Sequence, residues 1–104
     1  VVPIEEVPEE GPWDLLVNAT PLGSRGFDSS LPVPETVVRD SKFVYDLVYN
    51  PPETPLLRAA KRLQIRGASG FEMLLHQAAK AFELWTGKSA PVDAMRAAAK
   101  EALG

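Results

Sequence analysis

Residues 70–87, GFEMLLHQAAKAFELWTG, constrain this chain more than any other stretch. Phe71, Leu74, Leu75, Ala78, Phe82 and Trp85 recur at helical spacing and predict one apolar stripe. Met73, Ala81 and Leu84 add a second apolar flank, with the amide of Gln77 set among them. Only Glu72, His76, Lys80 and Glu83 supply a wet face. A surface helix on a single core normally shows one stripe. A helix with two apolar flanks expects partners on both, and 104 residues make at most one ordinary domain.

The elements around this helix read as an α/β chain. Trp13–Asn18 is a short run whose consecutive Leu15, Leu16 and Val17 suit a strand covered on both faces of a parallel sheet. Pro21 and Gly23 break it. Residues 24–34 form a loop rich in Gly, Ser, Asp and Pro, and residues 35–40 suit a helical turn. Residues 42–49, KFVYDLVY, make a second strand that ends at Asn50-Pro51-Pro52. Thr54 then caps a helix with Pro55 in its first position, where a missing N–H costs nothing. Leu56, Leu57, Ala60 and Leu63 supply its buried stripe. A brief third strand precedes the long helix, and a last amphipathic helix runs from Pro91 through Val92, Met95, Ala99 and Leu103.

The expected strands lie near 14–18, 43–49 and 65–68, and the helices near 54–64, 71–86 and 91–102. Two or three strands make a poor parallel sheet by themselves. The order therefore predicts the C-terminal half of a doubly wound, Rossmann-like sheet followed by two C-terminal helices, with residues 1–104 forming a single partial domain. The chain opens on Val1-Val2-Pro3-Ile4 without an initiating Met, as expected of a piece of a longer protein, and Glu5, Glu6, Glu9 and Glu10 read as a solvated acidic connector.

Composition narrows the function classes. A net charge of −3 with scattered signs lacks the basic footprint of a nucleic-acid binder. No apolar run approaches the roughly 20 residues that span a bilayer, and no signal-peptide pattern opens the chain. The absence of cysteine removes thiolate nucleophiles and Cys-based metal sites. The expected compartment is the cytoplasm. His76 has neither a second His nor a carboxylate cluster at ligand spacing, so no metal site is expected. No nucleophile–base pair and no glycine-rich phosphate loop is present.

In open parallel sheets, ligands bind beyond the carboxyl ends of the strands. Asn18-Ala19-Thr20, Tyr49-Asn50-Pro51 and Ser69-Gly70 occupy those ends here, with Gln77 two turns further on. Small residues let a ligand approach the backbone, and Thr20, Tyr49 and Gln77 can hydrogen-bond a polyol. The same residues also have plain structural uses: a turn for Asn18 and Thr20, a half-buried strand aromatic for Tyr49, a surface amide for Gln77.

Three motifs, VNATPLG at 17–23, Asp46-Leu47-Val48-Tyr49-Asn50-Pro51 with Thr54-Pro55-Leu56-Leu57, and Gly70, Met73, Leu74, Gln77, Ala78, Phe82, Trp85 and Gly87, together resemble the C-terminal part of the shikimate dehydrogenase family. The resemblance runs over essentially the whole chain. It implies NADP as cofactor and reversible hydride transfer between shikimate and 3-dehydroshikimate. It places Asn18, Ala19, Thr20, Leu47, Gly70 and Met73 at the nicotinamide end, and Tyr49 and Gln77 against the substrate. Ser24 departs from the hydrophobic residue common after the turn glycine. Ser69 stands where an acid or amide is frequent, which alters the approach to Gly70.

The family's lysine–aspartate proton-transfer pair, its phosphate turn and the basic loop that reads the 2′-phosphate lie upstream, in and beyond an N-terminal substrate domain that this chain lacks. General acid–base catalysis is worth about 10²–10⁴-fold, so no catalytic residue is expected within these 104 residues and no turnover from them alone. A related enzyme accepting quinate fits the same motifs. The alternative from another class is a noncatalytic assembly module, in which the second helix flank forms a homodimer.

Overall fold

A computed structural model describes Glu6, Pro8 and residues 11–103 of the chain. The acidic connector read from the sequence lies outside the described residues except for Glu6 and Pro8, both exposed. Three strands, β1 (Leu16–Asn18), β2 (Phe43–Asp46) and β3 (Arg66–Ser69), form one parallel sheet in the order β1-β2-β3. Among the described residues the sheet is accompanied by four helices: α1 (Glu35–Arg39), α2 (Pro55–Arg62), α3 (Phe71–Thr86) and α4 (Val92–Leu103). The α/β order expected from the sequence is the order observed.

Local chemistry explains the element ends. The Thr54 hydroxyl accepts from the Leu57 N–H, and Pro55 occupies the first turn of α2 as expected. At the start of α3 the Ser69 hydroxyl accepts from the Phe71 N–H at 3.2 Å, which satisfies one of the helix's orphan donors. Gly87 ends α3 in the left-handed conformation, φ 69°, and donates to the Glu83 carbonyl.

The core joins α1 and α2 to one face of the sheet. Val38, Val44, Leu56, Ala59 and Ala60 are buried together, with Leu16, Leu31, Val33, Leu57, Leu63 and Ile65 packed around them. Along β2, Val44 and Asp46 are buried while Phe43 and Tyr45 are half-buried. Two expectations need correction. The run at Leu15–Val17 suggested a strand covered on both faces, yet Leu15 and Val17 are exposed. Among the described residues, helices α1 and α2 cover one face of β1 and no layer covers the other. The long helix also turns differently: its buried line is Leu75 and Ala79, while Leu74, Ala78 and Trp85 of the expected stripe are exposed. A helix that is apolar on two sides leaves the choice of buried side to its neighbours, here chiefly α4.

The molecule is elongated. The extents are 47 × 27 × 25 Å with a radius of gyration of 15.9 Å, against about 13 Å for a compact chain of this size. Helix α4 has no buried residue; Val92, Met95, Ala99 and Leu103 are each half-buried.

Candidate functional site

Strand register aligns the three carboxyl ends. Asn18 lies opposite Asp46, and Asp46 opposite Ser69, so the predicted clusters share one rim. The centre of that rim is a residue to which the sequence reading gave no role. Asp46 is fully buried, and three donors converge on it. Its Oδ1 accepts from Asn18 Nδ2 and from the Val48 N–H, each at 3.0 Å. Its Oδ2 accepts from the Thr54 hydroxyl at 2.7 Å. One carboxylate thus ties the turn after β1, the exit of β2 and the cap of α2 together. A carboxylate set in an otherwise apolar strand was the available signal, because such a group is rarely buried without partners.

Around this hub the turn folds tightly. Asn18 Oδ1 accepts from the Thr20 N–H at 3.0 Å and from the Thr20 hydroxyl at 2.6 Å, while Asn18 Nδ2 also donates to the Leu22 carbonyl. The Asn18 carbonyl accepts from the Leu47 N–H at 3.1 Å. Gly23 continues the turn at φ +93°, and its N–H reaches the Asp28 carbonyl. The Arg25 N–H then donates to the Asn50 carbonyl at 2.8 Å, drawing this loop across to the end of β2.

Between the loop and the β2 exit lies a cleft of about 580 Å³. Ala19, Thr20, Leu47 and Tyr49 line it, joined by Ser24 and by Arg25, the one charged residue on its wall among the described residues. Asn18 sits beneath as the buried support. Gly70 lies against the same wall from behind: a Cβ placed on it would stand 2.2 Å from the Leu47 carbonyl oxygen. No other residue fits there without moving β2 or α3. Met73 and Gln77 are not brought to this wall; both are exposed on α3, about one and two turns beyond Gly70.

The charges that shift lie elsewhere. Arg96 of α4 holds Glu72 of α3 with two hydrogen bonds of 3.0 Å, which lowers the Glu72 carboxyl below its ordinary value and raises Arg96. The Arg39 guanidinium and the Gly11 N–H lower Asp40 in the same way. Among the described residues no group of three His, Asp or Glu side chains is placed to hold a metal ion, and no helix is long and apolar enough to cross a membrane.

Comparison with known proteins gives a consistent picture. Residues 70–100 match the family model described as the shikimate 5′-dehydrogenase C-terminal domain. The NADP(+) shikimate dehydrogenase of Archaeoglobus fulgidus is 51% identical over 102 residues, covering 97% of this chain and 38% of that protein. Among solved structures, the Thermus thermophilus shikimate 5-dehydrogenase in complex with NADP(H) and shikimate superposes with a TM-score of 0.76 at 38% identity, covering 92% of this chain and 37% of that one. A Corynebacterium glutamicum quinate dehydrogenase in complex with NAD gives 0.72 at 39% identity, over 80% and 29%. The chain spans under two-fifths of the length of these relatives. It belongs to the shikimate dehydrogenase family, and its sequence is that of the family's C-terminal part.

Proposed function

We propose that residues 1–104 form one partial domain of an NADP-dependent shikimate dehydrogenase, which interconverts shikimate and 3-dehydroshikimate. The observation that carries this reading is the in-register rim of Asn18, Asp46 and Ser69 with the cleft beside it. The residues suit the nicotinamide end of a dinucleotide. The cleft falls within the roughly 300–1,000 Å³ of small-molecule sites, Ala19 leaves backbone accessible, and Thr20 and Tyr49 bring hydroxyls to a wall with one charge.

In this reading Asn18, Ala19, Thr20, Leu47 and Gly70 hold the nicotinamide end, with Met73 near its ring. Tyr49 and Gln77 orient the substrate hydroxyls. The cofactor, when bound, supplies the hydride chemistry; this chain's residues bind, orient and exclude water. Proton transfer falls to the upstream substrate domain. Three parallel strands in ascending order leave the outer edge of β1 for the first half of a doubly wound sheet. The exposed Met73, Leu74, Leu84 and Trp85 on α3 suit a docking face for the substrate domain, in preference to a second copy of the chain. The whole enzyme is read as cytoplasmic.

The test uses the full-length protein carrying this chain. It should reduce NADP in the presence of shikimate, and Gln77→Ala should raise the KM for shikimate more than that for NADP, by about the two- to tenfold that one hydrogen bond provides. Unchanged shikimate kinetics in that variant remove Gln77 from the substrate contacts. Faster turnover of quinate than of shikimate moves the assignment to the quinate branch of the family.

A further inference from the structure

The hydrogen bonds at Asn18 determine the polarity of the cleft as well as the shape of the turn. A side-chain amide has one donor end and one acceptor end, and its neighbours decide which points where. Here the Asn18 Nδ2 lies 3.0 Å from Asp46 Oδ1 and 3.2 Å from the Leu22 carbonyl oxygen, both acceptors. Its Oδ1 therefore faces Thr20. An amide oxygen only accepts, so the 2.6 Å contact consumes the Thr20 hydroxyl proton. The Leu22 N–H takes one Thr20 Oγ1 lone pair at 3.3 Å. What Thr20 has left for the cleft is a lone pair.

We propose that Asp46 is a positioning residue that, by holding Asn18 in one orientation, makes Thr20 a hydrogen-bond acceptor in the cleft and selects a ligand presenting an N–H or O–H donor there. This rests on the reading of the cleft as the nicotinamide end, where a carboxamide N–H and ribose hydroxyls are the donors on offer. The two oxygens of Asp46 divide the work: Oδ1 serves Asn18 and Val48, and Oδ2 serves Thr54. An Asn at 46 can keep its oxygen toward Asn18 and turn its NH₂ toward the Thr54 hydroxyl. Cleft polarity and helix capping are thereby separable.

The experiment is a fluorescence titration of NADPH against the full-length protein without substrate. Thr20→Val should weaken binding about three- to tenfold, the loss of one hydrogen bond. Asp46→Ala and Asn18→Ala should each give a loss of that order, and neither should add to the loss in a Thr20→Val background, because all three act through one contact. Asp46→Asn should retain most of the parent affinity. Thr54→Val should retain it too while lowering the Tm, a split that a purely structural role for Asp46 does not produce. Repeating the titration with the nicotinic-acid analogue of the cofactor locates the donor: the Thr20→Val effect disappears for a carboxamide donor and persists for a ribose hydroxyl.

Parent-like NADPH binding by Thr20→Val, or fully multiplicative losses in the double variants, overturns the proposal. The Asn18→Ala arm decides if Asp46→Ala does not fold. A parent protein that binds NADPH but leaves shikimate unoxidised removes the proposed substrate and not the role of Asp46.

Discussion

Asp46 and Arg96 each tie distant parts of the chain together, and they do so in opposite surroundings. Asp46 is buried, and its donors come from the turn after β1, the exit of β2 and the first turn of α2. Around it Val44, Leu56 and Ala59 are almost wholly excluded from water. Arg96 grips Glu72 at the surface, between two helices of which α3 buries only Leu75 and Ala79 and α4 buries nothing. Trp85 is 84% exposed and Leu84 73%. Among the described residues the rim side is internally satisfied, whereas the helical side leaves large apolar side chains in solvent. Satisfied polar groups and exposed apolar ones thus fall in different parts of the chain.

The contrast breaks most visibly at Asp46. Asp46→Ala leaves three donors without their acceptor, at about 1–3 kcal/mol for each one that stays buried. Urea denaturation of the full-length protein should show a loss of roughly 3 kcal/mol or more in the domain that carries this chain. Gly70→Ala comes next. Its new methyl meets the Leu47 carbonyl oxygen, and overpacking of this kind costs about 1–3 kcal/mol; calorimetry should show a lowered Tm together with weakened NADPH binding.

Thr54→Ala should cost about 1 kcal/mol as a lost helix cap, measurable by the same denaturation. On the helical side, Trp85→Ala should change stability by no more than about 0.5 kcal/mol in the isolated chain, as expected of an exposed position. In the full-length protein the same change should cost clearly more if the flank is a docking face, and equal effects in the two contexts leave the flank without a partner.

Smallest is the pH response of the helical pair. Arg96 lowers the Glu72 carboxyl, so its contribution is present above the ordinary value of 4.5 and is lost as pH falls through the lowered folded value. Hydrogen exchange of α4 amides should therefore accelerate in acid below that ordinary value relative to the amides of β2. Glu72→Gln should remove the difference.

Much of this was legible in the residues. Thr54-Pro55 announced the start of α2 because capping is a local act between a hydroxyl and an N–H three residues on. The turn at Asn18–Gly23 and the stops at Asn50 and Gly87 were local in the same sense. The gathering of Asn18, Ala19, Thr20 and Tyr49 followed from parallel-strand geometry, because strands of similar length begun together also end together, whereas Leu47 came only with the family resemblance. Asp46 was less readable. Its partner Asn18 lies 28 positions away, and an apolar pattern interrupted by a carboxylate does not say who satisfies it. The buried side of α3 was equally hidden, since both of its apolar sides have the right period and only the position of α4 decides between them. Ala79, small and unremarked in the pattern, is one of the two residues of α3 that are buried.

The close approach of Gly70 to Leu47 has a mechanical consequence. In the core, α1 and α2 meet the sheet through side chains such as Val38, Val44 and Leu56, which yield by changing rotamer. At Gly70 backbone meets backbone with no side chain between, and Leu47 is itself part of the cleft wall. A displacement of α3 at this point thus arrives at the wall undamped, as through a rigid bearing rather than a spring.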